Sequence, residues 1–278
     1  MHIASACIFT LMVASNSPIL AQSASLPDPR QLMREVVEHQ KQLDEVRENY
    51  TYSSFSKTED LDGKAQVVKT RTEERENFYV NGHLIARTVK KDSKPLEEHE
   101  EEKERERVLK LVDLAQKTPK DQTLDGQAVT IARLLDIMQA GNERREQFRG
   151  RSAIVLDFAG NPNAKTHGMA EDMSKKLKGT IWIDELDREV SHIEVSFYED
   201  FRIGGGLVGS ISKGSHFSFD QGKVNGELWL PTAATADFKA RVLLLKSINQ
   251  RFSEFDSGYQ RFRVETAQPK DARLITQP

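Results

Sequence analysis

The chain has one cysteine and two tryptophans in 278 residues, and no apolar run near the ~20 residues that a membrane-crossing helix needs. The lone Cys7 excludes an internal disulfide, a cysteine-rich metal site and a dithiol redox centre. Net charge is small: 40 Lys and Arg stand against 43 Asp and Glu, giving −3. That balance offers no overall pull toward nucleic acid or anionic lipid. No basic stretch is interleaved with aromatics, so no nucleic-acid partner is expected. None of the seven histidines has metal-ligand spacing. Neither a G-x-S-x-G elbow nor a P-loop is present. The run Gly204–Gly209, GGGLVG, has the letters of a dinucleotide motif but lacks a following helix and a βαβ frame. It reads as a mildly apolar loop between strands. No catalytic residue, metal or cofactor is therefore expected, and an enzyme is not the reading.

What is there begins with residues 3–14, IASACIFTLMVA, the most apolar segment of the chain, followed by small residues. This has the form of an export signal, with cleavage after Ala21 or Ser23. Residues 1–23 are expected to be removed, taking Cys7 with them. The compartment is then the periplasm, 24–263 is one domain, and the polar, Pro-containing 264–278 is a disordered tail.

Within the domain, Leu32, Val36, Val37, Leu43 and Val46 recur at helical period after Asp28-Pro29, which has the form of a cap and first-turn proline. From Tyr50 the pattern alternates, broken by Asp62-Gly63 and Asn81-Gly82, predicting three antiparallel strands in a meander. Residues 97–107 carry seven Glu and three Lys or Arg, predicting a solvated helix with i,i+4 pairing such as Glu101–Arg105 and an apolar stripe at its end. A second, apolar helix is expected over 127–140. Strands return at 144–159, and after a short helical piece near 169–177 a longer meander follows. Asp187-Arg188 and Asn225-Gly226 mark turns there, and His192 and His216 fall on adjacent strands where they could meet. Strands grouped apart from helices argue an α+β fold with an antiparallel sheet.

Several strands have one apolar face: Ile154, Leu156 and Phe158; Ile193, Val195 and Phe197; Phe217 and Phe219; Ala234, Ala236, Phe238, Ala240 and Val242. An ordinary sheet packed under helices would show this alternation. A curved sheet whose small Ala234, Ala236 and Ala240 leave room for a lipid-like ligand would show it equally.

The segments GTIWIDELDREVSHIEVSF and VNGELWLPTAATADFKARVLLL, with the N-terminal meander, resemble the LolA-like family of periplasmic outer-membrane lipoprotein-sorting proteins. The resemblance runs in order through most of residues 30–263. It implies a strongly curved, incompletely closed antiparallel half-barrel whose concave apolar face is lidded by helices. It implies a non-enzymatic carrier holding acyl chains of lipids or lipoproteins, without cofactor, on the thirteen residues just named. The alternative is a periplasmic sensor of the same fold that binds a partner protein, one associated with the membrane.

Overall fold

In a computed structural model, residues 25–120, 122, 124, 137–243 and 246–261 are described. The expected signal (1–23), the tail (264–278) and most of the expected 127–140 helix lie outside these residues.

Helix α1 spans Pro29–Arg47. Asp28 caps it, its Oδ1 accepting the Gln31 N–H at 2.9 Å. Pro29 sits in the first turn, where a missing N–H costs nothing. The meander follows as β1 (Tyr50–Leu61), β2 (Val67–Val80) and β3 (His83–Lys91), with a two-residue β4 (Lys94–Pro95). Asn81 and Gly82 turn the β2–β3 hairpin with φ of 49° and 78°, the left-handed pair that a tight hairpin turn requires. At Asp62 the hairpin forms but the turn is longer than Asp-Gly suggests. Ala65, not Gly63, takes the left-handed conformation, and Asp62 Oδ1 accepts the N–H groups of Lys64 and Gln66.

Helix α2 spans Glu98–Lys117 and packs on β3 and β2 at one margin of the sheet. Glu104 accepts the Thr88 N–H at 2.6 Å, and Asn81 Nδ2 donates to the Ala115 and Thr118 carbonyls. The expected Glu101–Arg105 pair is replaced: Arg105 pairs with Glu102 one position nearer, and Glu101 reaches Arg87 of β3. At the helix's apolar end Ala115 is buried and Val108, Leu111 and Val112 are half-buried, while Leu109 and Leu114 are exposed.

The second half holds β5 (Met138–Phe148), β6 (Arg151–Gly160), the short α3 (Met169–Ser174), β7 (Leu177–Asp184) and β8 (Val190–Phe197). Then come β9 (Phe201–Ile203), β10 (Gly209–Ile211), β11 (His216–Val224), β12 (Leu228–Val242) and β13 (Lys246–Arg261). Strand β5 begins at Met138, inside the stretch expected to be helical, so helix 127–140 is corrected at its end. Residues 246–261, amphipathic in sequence, form a 16-residue strand.

All thirteen strands form one antiparallel sheet in the order β4-β3-β2-β1-β13-β12-β11-β8-β7-β6-β5, with β10 on β12 and β9 on β10. The path ends at β4 and β5 and does not close. Strand β13 joins the two meanders, pairing β1 on one side and β12 on the other. Helix α1 seals part of one face. Leu32, Met33 and Val36 pack with Ile154, Leu156, Ile181, Ile183 and Val190. Near the other end of α1, Leu43 and Val46 pack on Tyr50, Leu228 and Leu230.

Candidate functional site

The strand register puts all thirteen expected residues on one face. Leu156 opposes Ile181, which opposes Ile193, then Phe219, then Ala234. The next row runs Phe158, Gly179, Val195, Phe217, Ala236 and Phe252. Phe197 opposes Leu177 at the end of β8, and Phe238, Ala240 and Val242 continue the even positions of β12. Residues directly opposite in an antiparallel pair share a face, so these rows are continuous bands across the sheet.

The bands are not equally covered. Ile154 and Leu156 are fully buried under α1, and Phe158 and Ile193 border that cluster. Val195, Phe197, Phe219, Ala234, Ala236, Phe238 and Ala240 are half-buried. Phe217 is 40% exposed and Val242 38% exposed. The Phe217 and Phe219 rings stack with centroids 6.5 Å apart. Phe158, Val195 and Phe217 also line a cleft of about 1010 Å³ together with Thr180, Glu194 and Ser218. The structure therefore separates the expected site into a sealed part and an open part.

Three neighbours were missed in the sequence. Gly179 lies under the Phe158 ring, and a Cβ there would stand 2.6 Å from Phe158 Cζ and 2.0 Å from the Glu194 carbonyl oxygen. Ile248 and Phe252 of β13 oppose Ala240 and Ala236. Their alternation was visible in SINQRFSEF, but Gln250 and Glu254 share the face and mask it.

Those polar residues mark a second zone. Glu254 opposes Ser56 and Asp256 opposes Ser54 across β1. Arg75 Nη1 reaches Glu254 Oε2 at 3.2 Å, and Asn77 Nδ2 donates to Ser54 Oγ at 3.1 Å. Burial raises the Glu254 carboxyl despite the Arg75 charge. Asp256 Oδ1 is buried without a hydrogen-bond partner, and burial with the nearby Glu254 carboxylate pushes this acid up to about 7. Tyr52 and Tyr259 stack beside it at 5.2 Å. The face thus grades from aliphatic and aromatic to polar and acidic.

The opposite face carries the histidines. His192 Nδ1 lies 2.6 Å from Asp220 Oδ1, and His192 packs against Trp182 and Phe148. His216 pairs with Asp237 at 3.2 Å. The two do not meet: His192 opposes Asp220 while His216 opposes Ser196, four positions along. No group of three or more His, Cys, Asp or Glu among the described residues is placed to hold a metal ion. No helix among them is long and apolar enough to cross a membrane.

The geometry defines an open antiparallel sheet with a partly covered apolar face. No family model and no curated protein matches the chain. Among solved structures it is similar to an outer membrane lipoprotein-sorting protein domain from Vibrio parahaemolyticus, at 11% identity and TM-score 0.37 over 86% of this chain and 95% of that one. It is similar to a DUF1329 family protein from Desulfovibrio piger, at 11% identity and TM-score 0.36 over 87% and 96%. A LolA superfamily protein from Nitrosomonas europaea matches at 12% identity and TM-score 0.34 over 82% and 92%.

Proposed function

We propose that this chain is a non-enzymatic acyl-chain carrier, binding lipids or lipoproteins on the open part of its apolar face. The observation that carries the reading is the exposure of Phe217 beside half-buried Val195, Ala236 and Phe238, on the same face that α1 seals at Ile154 and Leu156. A soluble chain gains by covering such a band, and an acyl chain covers it at ~0.8 kcal/mol per buried CH₂. Ala234, Ala236 and Ala240 leave room at the centre of the trough, and movement of α1 would lengthen it over the sealed band. The sheet curves around the ligand in this reading. Residues 1–23 serve as the export signal, 24–263 as the binding domain in the periplasm and 264–278 as a tail.

Ala236→Trp fills the trough and should reduce binding of an acyl-chain fluorophore with modest loss of stability. Unaltered dye binding together with a loss of ~1–3 kcal/mol would identify overpacked core instead and remove the carrier reading. Mass spectrometry of lipid extracted from the natively purified protein identifies the ligand, and its intact mass should place the first residue near Gln22 or Ala24.

A second reading, a sensor that binds a partner protein, draws on the opposite face. Phe55 and Phe255 are directly opposed across β1 and β13 there, and both are exposed. Extraction that yields no lipid, with a protein partner retained through purification, would favour it.

A further inference from the structure

One end of the sheet carries a feature that acyl binding does not use. Between β9 and β10 the chain turns through Gly204, Gly205 and Gly206, all at positive φ (58°, 66° and 95°). This turn presents Leu207 and Val208, which are 67% and 54% exposed. Leu243, at the end of β12, is 65% exposed and donates its N–H to the Val208 carbonyl at 3.1 Å. Leu207 and Val208 are themselves tied back, to the Gly204 and Ile203 carbonyls at 3.1 and 3.3 Å. A Cβ on Gly204 would stand 2.7 Å from Val208 Cγ2, so the glycine is what lets Val208 sit there. Backbone hydrogen bonds thus hold three exposed apolar residues together in one tip.

Cations stand directly behind it. Arg202 and Arg241 both oppose Ser210, across β9–β10 and β10–β12, and Lys239 is two positions along the same face. These three line a cleft of about 530 Å³ with the side chains of Ser210, Ser247 and Asn249. None of the three makes an ion pair among the described residues. Elsewhere on this face Arg251 pairs with Glu59 and Asp237, and Lys57 with Glu59. Asp200 is the one carboxylate lining the cleft, and it accepts the Lys213 N–H at 2.8 Å.

We infer that this end of the sheet docks on an anionic phospholipid bilayer, with Leu207, Val208 and Leu243 entering the interface and Arg202, Lys239 and Arg241 facing the headgroup phosphates. Apolar side chains at the boundary with cations just behind them are the arrangement by which a protein lies on a membrane without spanning it. The net charge of −3 opposes general adsorption to an anionic surface, so the attraction is local and oriented by the tip. Lys239 and Arg241 alternate along β12 with Ala240 of the acyl face, and the proposal stands without the carrier reading.

The test uses the full chain in sedimentation with phosphatidylcholine vesicles, with and without phosphatidylglycerol. The parent protein should sediment with the anionic vesicles, weakly with the neutral ones, and less as salt rises. Arg202→Gln with Arg241→Gln should lose about fivefold per cation on anionic vesicles. Leu207→Ser with Val208→Ser should lower binding to both vesicle types. Both variants should keep the parent's thermal midpoint and acyl-fluorophore binding, which separates this proposal from the trough. Equal sedimentation on the two vesicle types, or parent-like binding by both variants, would overturn it. So would calorimetric binding of inorganic phosphate as tight as that of the vesicles, which would make the cleft a small-anion site.

Discussion

Two stretches of the same apolar face differ in what lies over them. At β6–β7, Ile154, Leu156 and Ile183 are sealed by Leu32, Met33 and Val36 of α1. A few strands away, Val195, Phe217 and Ala236 have the same alternation and strand register but stay half-open. Alternation decides which way a side chain points; it says nothing of what covers it. The sealed stretch is ordinary core and should behave as one. The open stretch keeps apolar surface in reach of solvent, and the proposed acyl site rests on that exposure.

The largest expected effect lies in the sealed stretch. Leu156→Ala removes a fully buried side chain and should cost about 2–5 kcal/mol in urea denaturation. A cost below about 1 kcal/mol would mean that α1 does not seal this band and would collapse the contrast.

The polar zone gives an intermediate effect with a defined pH window. Asp256 is pushed up to about 7 in the folded chain by burial and by Glu254. Unfolded, the carboxyl releases its proton near pH 4. Between these values the folded state binds the extra proton, so stability falls as pH rises from about 4 to about 7, and the penalty is complete above that. The slope from this group is at most about 1.4 kcal/mol per pH unit. Asp256→Asn should flatten it and make the protein more stable than the parent at pH 8, as read from denaturation midpoints along a pH series. An unchanged slope would place the carboxyl in water.

The smallest effect on stability is expected in the open stretch. Phe217→Ala should cost about 1–2 kcal/mol, because a 40% exposed ring has less burial to lose than Leu156. Its acyl-fluorophore affinity should nevertheless drop. A stability loss matching that of Leu156→Ala, with dye binding intact, would make the two stretches alike.

Much of the fold was legible. The Asp28-Pro29 start, the N-terminal meander and the Asn-Gly turns at 81–82 and 225–226 all carry local chemistry that acts within a few residues. The face shared by the thirteen apolar positions was legible too, because a period of two survives wherever strands pair in register. The turn at 62–66 was longer than its Asp-Gly suggested because Asp62 could hold two downstream N–H groups with one oxygen. The Glu101–Arg105 pair failed because Arg87, from β3, offered Glu101 a tertiary partner. Strand β13 was obscured by Gln250, Glu254 and Asp256, polar residues placed on an otherwise apolar face.

By itself the sequence determined the antiparallel strands and the directions of side chains along each of them. These depend on composition and on interactions between near neighbours. The tertiary structure alone decided that β13 would pair with β1, with Tyr50 opposite Arg261 from the far end of the described chain. It alone decided that α1 would cover Leu156 but leave Phe217 in part to solvent. It also set Leu243 beside Val208 in front of Arg202 and Arg241. Each of these joins segments far apart in the chain, and no local propensity carries the free energy that selects one long-range pairing over another.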